Sequence, residues 1–410
     1  MMKTVYILLL GGVFLGNPFT AFSQVKALKT WLGKEADARK PLDKLAIYEK
    51  ALTRENAKEM ADLLFEEKLK EIKATYKRMW GLKCFKREAL QMPFDCKLFG
   101  EKPEDGRSLY ISMHGGGNAP EALNTQQWKN QIQLYQPEEG VYVAPRAPWD
   151  DWNMWFKPGL DEFFDALIQT AVVMMDVNPD KVYLLGYSAG GDGVWRMAPR
   201  MADRWAAASM MAGHPGEASQ VNLRNVPFMI WMGENDAAYD RNKLAAVKGL
   251  VMDSLHAADP DGYIHETHIV KGKGHWMDQE DRVAIPWMAK FRRNPYPTKV
   301  VWRQEEVVMP SLYWLSVDPK EAKHGMVAIV EKEGNTFTIL KNDYKRLTIR
   351  LNDELIDLEQ PVKIFYNGNQ IFNGKVKRTL KNIARSIDER ADKRMIFSAE
   401  LTVVDNEKVE

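Results

Sequence analysis

Apolar positions change their spacing twice along the chain, and each change marks a different kind of element. Between residues 54 and 76, Ala57, Met60, Leu64, Leu69, Ile72 and Tyr76 recur every three to five positions among charged residues, which predicts an amphipathic helix. Thr53 stands where a capping hydroxyl belongs. Residues 24–93 therefore read as an N-terminal helical extension packed on the next domain, because a lone amphipathic helix needs a surface to bury against. From about 94 to 297 the texture becomes strand, turn, helix, repeated. Continuous apolar runs at 109–113, 141–144, 182–185, 206–211 and 228–232 suit strands covered on both faces, and 265–270 is a further strand. Residues 163–175 and 244–255 are helical, with Leu244, Val247, Val251 and Leu255 on one face. Such alternation builds an α/β domain with a doubly wound, mostly parallel sheet.

Beyond Pro295 and Pro297 the runs shorten. Residues 313–317, 326–330, 336–340, 347–351, 362–366 and 371–376 read as strands, with Asn367-Gly368 as a two-residue hairpin turn. A helical stretch at 380–390 precedes a last strand at 396–404. Residues 298–410 are thus expected to form a separate β-rich, sandwich-like domain.

The first residues carry an address. Lys3 precedes an apolar run from Val5 to Leu15, and Ala21-Phe22-Ser23 places small residues where a signal peptidase reads. The run is about half of the roughly 20 residues that span a bilayer. The expectation is a leader of residues 1–23, cleaved before Gln24, and a secreted or periplasmic mature chain; a retained short anchor is the alternative. Lysine and arginine number 57 against 56 acids, a net charge of +1, which supplies no electrostatic reason to bind nucleic acid or an anionic membrane. With only 2 cysteines, a structural zinc site is excluded. In an oxidising compartment Cys84 and Cys96 are expected to pair, with two buried thiols as the alternative.

The chemistry begins at Gly186-Tyr187-Ser188-Ala189-Gly190, directly after the strand at 182–185 and before a helical stretch. Flanking glycines permit a strained strand-to-helix turn on which the serine oxygen stands clear of the sheet. Upstream, His114-Gly115-Gly116-Gly117 follows another strand, and its glycines free main-chain N–H groups to face a developing negative charge. A phosphate-cradling loop is the alternative, but no Gly-Lys-Ser/Thr follows. A nucleophilic serine needs a base, and the base an orienting acid. Asp236 follows the strand at 228–232 through Gly233-Glu234-Asn235, with Glu234 and Asp240 as competitors. His275 lies in a glycine-rich loop beyond the strand at 265–270, where an imidazole can reach the serine. Of the other histidines, His114 shapes the glycine loop, and His214 is placed near the sheet edge as a substrate contact.

The order glycine loop, Ser188, Asp236, His275 resembles the α/β-hydrolase superfamily, and within it the secreted esterases of the esterase-D and poly(3-hydroxyalkanoate) depolymerase-like group. The resemblance covers roughly residues 94–295, half of the chain. It implies Ser188 as nucleophile, His275 as base, Asp236 as orienting acid, and an oxyanion hole from the Ala189 N–H with an N–H of Gly115, Gly116 or Gly117. It implies no metal and no organic cofactor. The depolymerases usually carry a cysteine within the loop that reads His-Gly-Gly-Gly here, which points away from polyester hydrolysis.

Trp149, Trp152, Trp155 and Phe156 cluster in the loop after the strand at 141–144, and Trp276 follows His275. Asp150, Asp151 and Asn153 lie among them. Flat faces beside hydrogen-bonding groups suit a sugar or a phenolic ring, although packing on the scaffold would use the same residues. The expectation is an exported serine esterase acting on a small-molecule or oligosaccharide ester. A peptidase on the same fold and a non-catalytic polysaccharide-binding protein are the alternatives.

Overall fold

The computed structural model describes the backbone of residues 18–410 and the side chains of residues 23–410. The apolar run of the expected leader lies outside the described residues, and Gln24 falls inside the first helix, α1 (Pro18–Leu32). No helix among the described residues is long and apolar enough to cross a membrane. Helix α2 (Arg54–Gly81) starts where Thr53 accepts the Asn56 N–H, and it buries Ala57, Met60, Leu64 and Ile72 on one face. That face meets Leu380, Ile383, Ala384 and Ile387, so the extension packs on the C-terminal region as well as on the central domain.

The central sheet starts at Cys84, ten residues before the expected boundary of its domain. A hairpin of β1 (Cys84–Arg87) and β2 (Leu90–Phe99) forms one edge. The hairpin is not visible as a strand pattern because β2 buries only Met92 and Phe94, carries a run of half-buried positions after them, and contains Pro93. Next come β3 (Arg107–Met113), α3 (Glu121–Leu134), β4 (Gly140–Pro145), α4 (Leu160–Met175), β5 (Val177–Tyr187), α5 (Ala189–Arg200), β6 (Ala207–Met211), β7 (Phe228–Gly233), α6 (Arg241–Ala258), β8 (His265–Val270) and α7 (Ala284–Met288). The strand order is β1-β2-β4-β3-β5-β6-β7-β8. β2 runs antiparallel to β4, and every pairing from β4 to β8 is parallel. Parallel strands demand crossovers, and the helices of those crossovers cover both faces, which is why β4 and β7 are buried at every position.

The expected disulfide does not form; both cysteines are free. The hairpin register sets Cys84 opposite Pro93, and Cys96 lies three residues further along β2. That offset is roughly 10 Å of strand, beyond the reach of a disulfide.

The C-terminal region begins with β9 (Lys299–Arg303) and continues through β10 (Ser311–Leu312), β11 (Leu315–Ser316), β12 (Val327–Glu333), β13 (Thr336–Asn342), β14 (Arg346–Leu351), β15 (Val362–Tyr366), β16 (Asn369–Gly374), α8 (Leu380–Glu389), β17 (Ala399–Val404) and β18 (Lys408–Val409). They form two five-stranded sheets, β10-β11-β14-β17-β18 and β16-β15-β13-β12-β9. Trp314 from one side meets Phe337 from the other at 5.3 Å between rings. Asn367 and Gly368 both take positive φ, 48° and 77°, as the two-residue turn requires.

A buried charge network pins this region to the central domain. Asp203 takes Arg204, the Arg390 guanidinium at 2.7 Å and the Tyr313 N–H at 3.0 Å, and Arg293 joins Asp180 to Asp392. Burial pushes the Asp203 carboxyl up, but the guanidiniums of Arg204 and Arg390 outweigh it and hold it well below the usual carboxylate range.

Candidate active site

Ser188 sits between β5 and α5 with φ 59° and ψ −124°, a conformation an L-residue adopts only under constraint. The constraint is close backbone packing. A methyl at Gly190 would lie 2.0 Å from the Met113 carbonyl oxygen, so only glycine lets α5 start against β3. The Ser188 N–H donates to the Met211 carbonyl at 2.9 Å, which ties the turn to β6.

The imidazole of His275 comes from the loop after β8. His275 Nε2 lies 2.9 Å from Ser188 Oγ, and its Nδ1 lies 2.7 Å from Asp236 Oδ2. Asp236 is 4% exposed, dry enough to hold one imidazole tautomer. Gly233, the last residue of β7, makes room for the loop: a methyl there would stand 2.0 Å from the Gly274 carbonyl oxygen. Tyr187 anchors the same loop, donating from its hydroxyl to the His275 carbonyl at 2.7 Å and accepting the Met277 N–H at 3.2 Å. The competitors of Asp236 are engaged elsewhere. Glu234 accepts the Gly272 N–H at 2.8 Å, and Asp240 pairs with Lys243 at 2.8 Å.

The glycine loop lies against the serine, with a methyl on Gly115 falling 3.1 Å from Ser188 Cβ. Its three N–H groups are not equivalent. Asn124 Oδ1 accepts the Gly117 N–H at 2.8 Å, which removes Gly117 as an oxyanion donor. The N–H groups of Gly115, Gly116 and Ala189 have no partner among the described residues, and of these Gly116 and Ala189 line the cavity that holds Ser188 whereas Gly115 does not. His114 is fully buried behind the loop. Its Nε2 accepts the Ala147 N–H at 3.1 Å, so Nδ1 carries the proton to the Gly115 carbonyl at 2.6 Å. Burial pushes this imidazole down to about 3, so it is neutral and structural.

The cavity holds about 840 Å³ and includes Trp152, Phe156, Asp192, Arg196, His214 and Arg241 in its wall. Trp152 is 63% exposed and meets Phe156 edge to face at 5.5 Å. His214 is in place on the wall, where its ring Nδ1 accepts the Gly216 N–H at 2.9 Å. Trp155 is a correction: it is fully buried and donates its indole N–H to the His114 carbonyl at 2.8 Å, so it belongs to the core under the glycine loop. Trp149 is half-buried beneath the Lys157 ammonium, and Trp276 is half-exposed against Tyr187; neither lines the cavity. Asp150 and Asp151 are likewise engaged, with Asn124 and Arg146 for the first and Lys157 for the second.

Sequence reasoning missed Asn124, Asp192, Arg196 and Arg241. The signal for two of them was present, since Asp192 and Arg196 follow Ser188 by four and eight positions on one helical stripe. Among the described residues, no group of three or more His, Cys, Asp or Glu side chains is placed to hold a metal ion.

No family model matches the chain, and no curated protein matches it. Solved structures similar to it include a thermostable esterase, at 17% identity over 51% of this chain and 62% of that one, TM-score 0.39. A ferulic acid esterase is similar at 16% identity over 49% and 92%, TM-score 0.35. A feruloyl esterase module from Clostridium thermocellum complexed with sinapinate is similar at 14% identity over 51% and 86%, TM-score 0.36. The chain thus spans less than two thirds of the thermostable esterase, and each likeness is limited to about half of its own length.

Proposed function

We propose that this protein is an exported serine hydrolase of the α/β-hydrolase fold that cleaves carboxylic esters through an acyl-enzyme. The observation that carries the reading is the unbroken chain from Ser188 Oγ through His275 to Asp236, at 2.9 and 2.7 Å. Asp236 accepts a hydrogen bond from the Nδ1–H, which keeps the proton on that nitrogen and leaves the Nε2 lone pair facing the serine. As Ser188 Oγ bonds to the ester carbon, its proton passes to Nε2, and the carbonyl oxygen becomes an oxyanion held by the Gly116 and Ala189 N–H groups. Collapse breaks the carbon–oxygen bond to the alcohol, which leaves with the proton from Nε2. Water then attacks the acyl-enzyme, gives its proton to Nε2, and releases the acid as Ser188 regains its hydrogen.

The carrier is read as a sugar or a phenol. The exposed face of Trp152 beside Phe156 suits a flat ring, and a polyester would bury the polar wall of the cavity unpaired. A fluorophosphonate probe tests the class directly. Labelling of a single peptide containing Ser188 supports the reading, and an unlabelled protein refutes it. Turnover across acetyl, butyryl and feruloyl esters then ranks the carriers.

A further inference from the structure

Ser188, Asp192 and Arg196 lie at successive i, i+4 positions, and all three line the same cavity. Asp192 Oδ1 accepts the His214 N–H at 2.5 Å, and no other residue's hydrogen bond reaches its carboxylate among the described residues. Arg196 is held rigidly. Its guanidinium lies 4.8 Å over the Phe156 ring, Nη1 pairs with Glu306, and Nη2 lies so close to Gly216 that a methyl there would stand 2.2 Å away. Glu306 and Val307 come from the segment after β9 and line the cavity too, so the C-terminal region completes this wall.

Asp192 and Arg196, four and eight positions along α5 from the nucleophile, offer an acceptor and a donor in one cavity wall. A hydroxyl group is both donor and acceptor and satisfies the pair. An anionic carrier would meet Asp192, Glu217 and Glu306, and a cationic one would meet Arg196, Arg241 and Lys157. An apolar carrier would take the remaining donor and acceptor sites of both groups out of water without replacing their hydrogen bonds. We infer that Asp192 and Arg196 are specificity-determining residues that read a hydroxyl of a glycosyl carrier, whose ring lies against Trp152. The neutral polyol is thus the favoured class, and the inference rests on Ser188 being the nucleophile.

The test compares kcat/KM on a mono-acetylated methyl glycoside with that on p-nitrophenyl acetate, for the full chain and for Asp192→Asn and Arg196→Met. Asp192→Asn keeps an acceptor for the His214 N–H, and activity on the nitrophenyl ester reports that each variant is folded. The glycoside-to-nitrophenyl ratio is expected to fall about tenfold in each variant, and a drop of more than threefold in both supports the assignment. A ratio that stays within threefold of the unmodified protein in either variant overturns it. Failure of the underlying reading is separately visible, as absent fluorophosphonate labelling of Ser188 in the unmodified protein.

Discussion

The hydroxyl of Tyr187, the residue before Ser188, donates to the main-chain carbonyl of His275 at 2.7 Å. The strand that presents Ser188 thus also clamps the loop that presents His275, and Met277 N–H returns a second bond to the same oxygen at 3.2 Å. Tyr187→Phe should remove both, at roughly 1 kcal/mol each. The expected result is a fall in kcat of about five- to thirtyfold with KM nearly unchanged. Steady-state kinetics on p-nitrophenyl acetate check it; an unchanged kcat would mean that the loop holds its place without the clamp.

Trp152 and Trp155 stand three residues apart and should behave oppositely. Trp155→Ala empties a core site and should cost about 3–5 kcal/mol of stability. Trp152→Ala exposes nothing new and should leave the melting temperature in place while lowering kcat/KM on a glycosyl or feruloyl ester more than on the nitrophenyl ester. Urea unfolding and paired kinetics separate the two, and equal destabilisation would place both rings in the scaffold.

Asp203 joins the two large regions. Asp203→Asn keeps the shape but removes the carboxylate that Arg204 and Arg390 share, leaving Arg204 to Asp165 and Arg390 to Asp392, which should cost about 1–3 kcal/mol. Chemical denaturation monitored by fluorescence measures it, and a change below 1 kcal/mol would show that the network is replaceable.

The neutral, buried His114 makes stability depend on pH. Its folded value, about 3, is below the unfolded value of roughly 6.5. The contribution is therefore present above pH 6.5 or so and is lost progressively as pH falls toward 3, where the unfolded chain binds the extra proton. His114→Gln offers an acceptor for the Ala147 N–H and no proton site. It should flatten the loss of stability between pH 6.5 and 4, and parallel pH curves for the two proteins would contradict this assignment.

The strands at 182–185 and 265–270, the serine turn, Asp236 and His275 were legible because each is local. An apolar run, a glycine pair or a strand end announces itself within a few residues. What was not legible depends on partners far away in the chain. Trp155 and Trp152 share one loop, and only the packing of Trp155 under His114 tells them apart. Cys84 and Cys96 are close in sequence, but the Cys84–Pro93 register separates them. Gly117 matches Gly116 as a residue, and Asn124, from α3, takes the N–H of Gly117 alone. Both thiols should accordingly react with a thiol reagent in denaturant without reductant, and a count of zero would restore the crosslink.

The central claim is that Ser188 and His275 act as one unit on an ester. The direct measurement is kcat/KM on p-nitrophenyl acetate for Ser188→Ala, His275→Ala and the double variant, with circular dichroism confirming the fold. Each single variant should lose at least about a thousandfold, and the double variant should be little worse than either. Turnover by Ser188→Ala equal to that of the unmodified protein would contradict the claim.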